Sequence, residues 1–178
     1  MEEIKSVKHT LPEGGWIGVV SDTHVPQRAR FIPPKLFKLL EGASLILHAG
    51  DLAEEAVLEE LSAIAPVEAV AGNMDSRTLH KKLGLKKIVT INDMNIGLLH
   101  GRGRTREAAF QAYHNFKDTG FKINGVVFGH THFPIMEYYE DILLFNPGSP
   151  VEPRGRSYTS CGRIWPEKGY LKGEIFSL

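Results

Sequence analysis

Side chains that bind metal ions follow five apolar segments of this sequence, one or two after each. The segments cover residues 16–20, 45–49, 67–71, 96–99 and 126–128. The side chains that come after them are Asp22 and His24, Asp51, Asn73, His100, and His130 and His132. Carboxylates, amide oxygens and neutral imidazoles are common ligands of divalent metal ions. This repetition predicts a metal site, and it carries more weight than any single residue.

Two carboxylates, one amide and four imidazoles are too many ligands for one small divalent ion, so we expect two ions. Mixed nitrogen and oxygen ligands favour manganese, with nickel, zinc and iron as alternatives, whereas Mg²⁺ and Ca²⁺ call for more oxygen. Two ions about 3.5–4 Å apart can share a hydroxide, align it with a phosphorus atom and balance charge on the phosphoryl oxygens. This chemistry is phosphoester hydrolysis without a protein nucleophile.

The predicted elements place these ligands together. Apolar runs at 16–20, 45–49 and 66–71 indicate buried strands, and the helical patterns at 34–40 and 54–64 lie between them. The resulting β-α-β-α-β order favours parallel strands with right-handed crossovers. Ligands of open α/β sheets bind beyond the carboxyl ends of the strands, which is where the candidate residues fall.

The second half of the chain has a different pattern. Residues 87–91 and 94–99 predict a hairpin, 105–116 a helix capped by Thr105, and 123–128 a further strand. Later hairpins are expected at 135–139 with 142–145 and at 157–165 with 170–176. We therefore expect an α/β fold, a four-layer α/β/β/α sandwich with two mixed β-sheets flanked by helices.

Composition limits the protein class. With 178 residues and 42% hydrophobic content, residues 1–178 are expected to form a single domain whose residues 1–14 are a polar leader. Lys plus Arg and Asp plus Glu both total 21, so there is no strong nucleic-acid signal. A lone cysteine, Cys161, and the lack of a signal or membrane segment favour a cytoplasmic protein without membrane partners. Assembly into a homo-oligomer stays open.

The motif order Asp-x-His, Gly-Asp, Gly-Asn, His and Gly-His-x-His, over residues 21–132, resembles the calcineurin-like metallophosphoesterase superfamily. The short chain, the segment 72–75 and the turn at 146–149 resemble its small bacterial and archaeal phosphodiesterase branch. The resemblance implies one ion held by Asp22, His24, Asp51 and His132. It implies a second ion held by Asp51, Asn73, His100 and His130. Asp51 would bridge the two ions.

The resemblance also implies a function, a binuclear metal-dependent phosphodiesterase whose nucleophile is a metal-bridging hydroxide. Asp51, Asn73 and His100 are the expected catalytic residues, and a small phosphodiester is the expected substrate. Arg102 and Arg104 follow His100 in a glycine-broken loop, where they could clamp a phosphate or be merely solvated.

One position departs from the family pattern. Many members carry histidine directly after the motif asparagine, and this chain has Met74. Methionine cannot transfer a proton. We therefore expect a preference for good leaving groups, such as aryl or cyclic nucleotide esters.

Several other residues that could bind metal have structural explanations. His48 is expected to be a hydrogen-bonded strand histidine, and His9, His80 and His114 to be surface residues. Asp75 is expected either to support a metal ligand or to cap a helix.

Two alternative functions stay open. One is a non-catalytic interaction scaffold, like the retromer subunit that resembles this fold, and the other is a phosphomonoesterase. Retention of every ligand position favours the enzyme.

Overall fold

The computed structural model describes residues 4–178, except for the side chains of residues 105 and 106. The first three leader residues and the predicted Thr105 cap therefore lie outside what is described. The strands are β1 (Lys5–His9), β2 (Ile17–Val20), β3 (Leu45–His48), β4 (Val67–Ala69), β5 (Lys86–Ile91), β6 (Met94–Leu99), β7 (Ile123–Val127), β8 (Ile135–Tyr139), β9 (Ile142–Asn146), β10 (Ser160–Glu167) and β11 (Tyr170–Ser177). The helices are α1 (Pro34–Leu40), α2 (Ala56–Ser62), α3 (Arg77–Leu83) and α4 (Thr105–His114). None of these helices is long and apolar enough to cross a membrane.

The strands form two mixed sheets. The five-stranded sheet has the order β11-β10-β2-β3-β4, in which β2, β3 and β4 are parallel. The six-stranded sheet has the order β1-β5-β6-β7-β9-β8. The predicted β-α-β-α-β unit and the hairpins β5–β6, β8–β9 and β10–β11 are confirmed.

Alternating side chains bury both faces of the sheets. In β3, Leu45 and Leu47 pack between the two sheets with Phe145, whereas Ile46 packs beneath α1, α2 and α3. On the outer face of the six-stranded sheet, Ala112 of α4 packs in a third cluster. Each fully buried leucine or isoleucine stabilises the fold by about 1.5–3 kcal/mol. The predicted α/β/β/α layering is confirmed.

Two elements were not expected from the sequence. Part of the polar leader forms β1, which pairs parallel to β5 at the edge of the six-stranded sheet. Helix α3 begins after Ser76, whose hydroxyl accepts a hydrogen bond from Leu79 N–H, and it ends at Gly84. Leu79 and Leu83 are buried.

The predicted strand at 157–165 begins later, at Ser160. Residues 151–159 are therefore a loop, and it lies beside the strand ends that carry the candidate ligands.

Candidate metal centre

The candidate ligands lie where the carboxyl ends of β2, β3, β4, β6 and β7 meet. In each sheet, backbone hydrogen bonds join the loops that carry these residues. Asp22 N–H donates to the Gly50 carbonyl at 3.0 Å, and Gly129 N–H donates to the His100 carbonyl at 3.0 Å. The site is therefore built from both sheets.

The backbone at five of the seven candidate ligands is left-handed. The φ angles are 54° at Asp22, 44° at His24, 55° at Asp51, 68° at His130 and 60° at His132. Non-glycine residues adopt this conformation rarely, although aspartate and histidine do so more often than most. Such backbone is concentrated at active and ligand-binding sites, where the surrounding structure holds it in place. Its recurrence here supports a functional site.

Two glycines allow carboxylates to approach the backbone closely. A Cβ atom at Gly72 would overlap the Asp51 carboxylate. A Cβ atom at Gly129 would overlap the Ser21 hydroxyl and lie 2.7 Å from Asp22 Oδ2. Any larger residue at either position would therefore displace a candidate ligand.

Asp22 is completely buried, and only one of its oxygens is hydrogen-bonded. Its Oδ2 accepts hydrogen bonds from the Ser21 hydroxyl at 2.6 Å and from His130 N–H at 2.9 Å. Its Oδ1 has no hydrogen-bond partner among the described residues and lies 3.3 Å from His132 Nε2. The two bonds fix the carboxylate and leave Oδ1 as a ligand atom.

Asp51 is arranged in the same way. Its Oδ1 accepts a hydrogen bond from Met74 N–H at 2.7 Å. Its Oδ2 lies 3.3 Å from His100 Nε2 and 3.6 Å from His24 Nε2. Asp51 therefore stands between two groups of histidines, as the expected bridging ligand should.

Asp75 holds the loop that carries Asp51. Its carboxylate accepts hydrogen bonds from the N–H groups of Asp51 (3.0 Å), Ala53 (2.8 Å) and Gly72 (2.8 Å). The helix cap is Ser76, so the expectation that Asp75 caps a helix is wrong, and its contacts agree with a role in supporting a candidate ligand. Asp75 touches the backbone of a candidate ligand rather than its carboxylate.

His132 and His24 face each other in the buried part of the site. His132 Nδ1 must donate to the Glu152 carbonyl at 3.0 Å, because a carbonyl oxygen can only accept. The lone pair of neutral His132 is then on Nε2, which lies 3.2 Å from His24 Nε2. The Glu152 carboxylate is also 3.4 Å from His132 Nδ1. Glu152 was not identified from the sequence, since nothing in its local pattern connects it with His132.

His100, Asn73 and His130 form the more open part. His100 Nδ1 donates to the Ala49 carbonyl at 2.7 Å, which leaves Nε2 directed at Asn73 Oδ1, 3.2 Å away. His130 Nδ1 lies 3.0 Å from the same Asn73 oxygen. All seven predicted ligands are therefore brought together.

The electrostatics of the site favour the binding of a positive charge. Burial disfavours the ionised form of Asp22, yet contacts with His132 and His100 lower its pKa to about 2. Burial also disfavours a charged His100, but Asp51 and Asp22 raise its pKa to about 9. Burial lowers the pKa of His24 and of His130, which favours the neutral form that binds metals.

These donors fit divalent cations. One group of ligand atoms, from Asp22, His24 and His132, lies within 4.8 Å of one another, and so does a second group from Asp22, Asp51 and His100. Carboxylate oxygens and imidazole nitrogens converge in both groups, and carboxylate oxygens repel one another unless a cation or proton lies between them. Asp22, whose Oδ1 has no hydrogen-bond partner among the described residues, belongs to both groups.

The expected phosphate-binding arginines lie in different places. Arg104 lines a cleft beside His130, together with Arg154, whose Nη1 donates to the His130 carbonyl at 3.3 Å. Arg102 is exposed and is not part of that cleft. Arg28 Nη1 lies 3.7 Å from Oε1 of Glu152, the residue whose backbone carbonyl accepts from His132.

The remaining histidines are not ligands of this cluster. His48 Nδ1 accepts a hydrogen bond from Gly50 N–H at 3.2 Å, and burial lowers its pKa to about 3, so the predicted strand histidine is confirmed. His114 is exposed, as predicted. His9 and His80 are half-buried rather than fully exposed, and they are bonded to a glutamate and to a backbone carbonyl respectively.

Known proteins with similar sequences are archaeal phosphoesterases. A probable metallophosphoesterase of Methanothermobacter thermautotrophicus is 41% identical over 138 residues, which cover 78% of each protein. A probable metallophosphoesterase of Methanocaldococcus jannaschii is 39% identical over 143 residues, covering 78% of this chain and 69% of the relative. A phosphodiesterase of the latter organism is 29% identical over 147 residues, covering 74% and 82%.

Solved structures share the fold at lower identity. Chaetomium thermophilum Vps29 superposes with a TM-score of 0.74 at 24% identity, over 92% of this chain and 93% of that chain. A structure described as a novel archaeal phosphodiesterase gives 0.63 at 23% identity, over 90% and 99%. The sequence model of a protein family, the calcineurin-like phosphoesterase superfamily domain, matches residues 16–165 of this chain. With this match and the archaeal relatives, the chain belongs to the calcineurin-like phosphoesterase superfamily.

Proposed function

We propose that the protein is a metal-dependent phosphodiesterase that uses two divalent transition-metal ions, manganese being favoured over nickel, zinc and iron. The observation that carries this proposal is the position of Asp51 Oδ2, between His24 Nε2 at 3.6 Å and His100 Nε2 at 3.3 Å. A single carboxylate oxygen between two sets of imidazoles suits a bridging ligand.

The ligands divide between the two ions according to the family pattern. Asp22, His24 and His132 would complete one site with Asp51. Asn73, His100 and His130 would complete the other. When bound, the ions would supply the attacking hydroxide and positive charge for the phosphoryl oxygens.

The protein's own residues orient this chemistry. Hydrogen bonds to the second carboxylate oxygen of Asp22 and Asp51 prevent both groups from rotating, so their geometry does not have to change when substrate binds. Arg104 and Arg154 place positive charge beside the open side, where an anionic substrate enters.

The leaving group sets the preferred substrate. Met74 is 46% exposed next to Asn73, and its side chain cannot donate a proton to an alkoxide. Aryl esters need no such proton, and we expect them to be cleaved faster than alkyl esters. Equal rates on aryl and alkyl diesters would contradict this expectation.

The decisive experiment uses metal-stripped protein and bis(p-nitrophenyl) phosphate. Turnover should return on addition of Mn²⁺, Ni²⁺ or Zn²⁺, more weakly with Mg²⁺, and should be lost in Asp51→Asn. The monoester p-nitrophenyl phosphate, assayed in parallel, should be the poorer substrate. A faster monoester would favour a phosphomonoesterase instead.

The second candidate function is a binding scaffold, since the fold is also that of Vps29. Metal binding with no turnover on any ester would support this candidate. The three archaeal phosphoesterase relatives favour the enzyme, because they resemble this chain in sequence at 29–41% identity, whereas Vps29 at 24% identity shows the fold alone.

A further inference from the structure

A cleft of about 310 Å³ lies beside the open part of the metal centre. Its lining residues are Gly103, Arg104, His130, Thr131, Phe133 and Arg154. We propose that it binds the retained arm of the phosphodiester and selects an arm carrying a second anionic group next to a planar ring. This inference rests on the proposed function, because it names the class of diester that the same site takes.

The position of the cleft connects it to the reaction. His130 is both a candidate ligand and part of the cleft wall, and its side-chain Nδ1 lies 3.0 Å from Asn73 Oδ1. A diester held at the metal centre must direct its two arms outward, and this cleft borders the open side. Its volume falls at the lower end of the range for small-molecule sites, which suits one arm rather than a whole ligand.

Two guanidinium groups give the cleft its charge. Arg154 Nη1 donates to the His130 carbonyl at 3.3 Å, which uses one of five N–H donors. Glu152 Oε2 lies 3.7 Å from Arg154 Nε, beyond hydrogen-bond distance, and is shared with His132. Arg104 lies on the loop between β6 and α4, where it is exposed and also lines the cleft. Donors remain for an anion, and guanidinium groups bind phosphate through two parallel hydrogen bonds.

An aromatic side chain gives the cleft a flat wall. Phe133 is half-buried, and the Arg156 guanidinium lies 4.9 Å from the centroid of its ring. This cation–π contact restrains the ring. A planar ring on the substrate can stack or pack edge-to-face there. Metal ions held by the candidate ligands would balance the charge of the reacting phosphate, which would leave the arginines for a second anion.

The chain has no overall excess of positive charge, since its positive and negative residues each total 21. A local pair of arginines therefore favours a small anion over a long nucleic acid. The class of substrate that results is a diester whose retained arm is a nucleotide with a further phosphate.

The test compares two substrates that share the scissile bond and the leaving group. They are the p-nitrophenyl ester of thymidine 5′-phosphate and the same ester with an additional 3′-phosphate. We expect the 3′-phosphate to lower KM about tenfold or more, with little change in kcat. Arg154→Gln and Arg104→Gln should each remove most of this difference. Lys38→Gln, which removes one positive charge from an exposed position of α1, should leave it intact.

A binding measurement separates the inference from the proposed function. Calorimetry on the Mn²⁺-loaded protein should show tighter binding of thymidine 3′,5′-bisphosphate than of thymidine 5′-phosphate, and this preference should be lost in Arg154→Gln. Hydrolysis of both esters with the same KM would overturn the inference and leave the phosphodiesterase intact. An arginine-dependent binding preference without any hydrolysis would support the anion site and contradict the phosphodiesterase. Equal binding of the two nucleotides would overturn the anion site.

Discussion

The two parts of the metal centre differ in how firmly the protein holds them. The closed part, made of Asp22, His24, Asp51 and His132, is at most 3% exposed. The open part consists of His100, which is buried, Asn73, which is exposed, and His130, which is half-buried. In the closed part, backbone groups occupy the spare atoms of both carboxylates and of His132. The closed part is preorganised for metal, and the open part is left accessible to substrate.

The largest expected effect separates these parts directly. Asp22→Asn should weaken Mn²⁺ binding by more than about 100-fold, because even the outer partners of metal ligands are worth about 10–100-fold. Asn73→Ala removes a neutral, exposed ligand and should cost about tenfold. Calorimetric titration of metal-stripped protein measures both. Equal losses would mean that the closed part has no greater role in binding metal.

A second change tests whether hydrogen bonding holds the closed part in place. Asp75→Ala leaves three N–H groups without an acceptor, and it should lower the free energy of unfolding by about 2–4 kcal/mol. Urea unfolding of the metal-free protein measures this. Asp118→Ala is the matched control, because Asp118 has an 85% exposed side chain and should change stability by less than about 0.5 kcal/mol. A similar effect in both variants would contradict the role assigned to Asp75.

A smaller effect is expected where a carboxylate acts through a ligand. Glu152→Gln keeps the backbone carbonyl that accepts from His132 Nδ1 and removes the negative charge 3.4 Å from that nitrogen. Mn²⁺ affinity should fall about tenfold, since a nearby carboxylate makes imidazole a better ligand. Glu54→Gln, at an exposed position, should bind Mn²⁺ like the unaltered protein. Unchanged affinity in Glu152→Gln would show that the carbonyl alone positions His132.

The smallest effect concerns the open part. Met74→His restores the side chain common in the family and should raise the rate on an alkyl diester by less than about tenfold. A well-placed general acid gives about 10²–10⁴-fold, but an imidazole at this 46% exposed position would be mobile. The ratio of alkyl to aryl rates is the measurement. Met136→His, at a 45% exposed position of β8, should leave the ratio unchanged. No change in Met74→His would mean that the proton comes from elsewhere.

Local patterns predicted most of the elements for identifiable reasons. The runs that became β2 and β3 are apolar on both faces because both faces of their sheet are covered. β1 was missed because it lies at a sheet edge, where polar residues such as Lys5 and Lys8 are tolerated. Helix α3 was also missed, although Ser76, Leu79, Leu83 and Gly84 carried its cap, apolar face and end.

The sequence by itself determined the type and order of the seven candidate ligands. Each follows an apolar strand, and the parallel strands of each sheet bring their carboxyl ends to one edge, so local pattern is sufficient to place each candidate at the end of its strand. Only the tertiary structure decided which ligand atoms remain available, and it brought Glu152 to His132 and Arg154 to His130. Those contacts join residues on separate loops. Their geometry depends on how the two sheets pack, and no local periodicity in the chain encodes it.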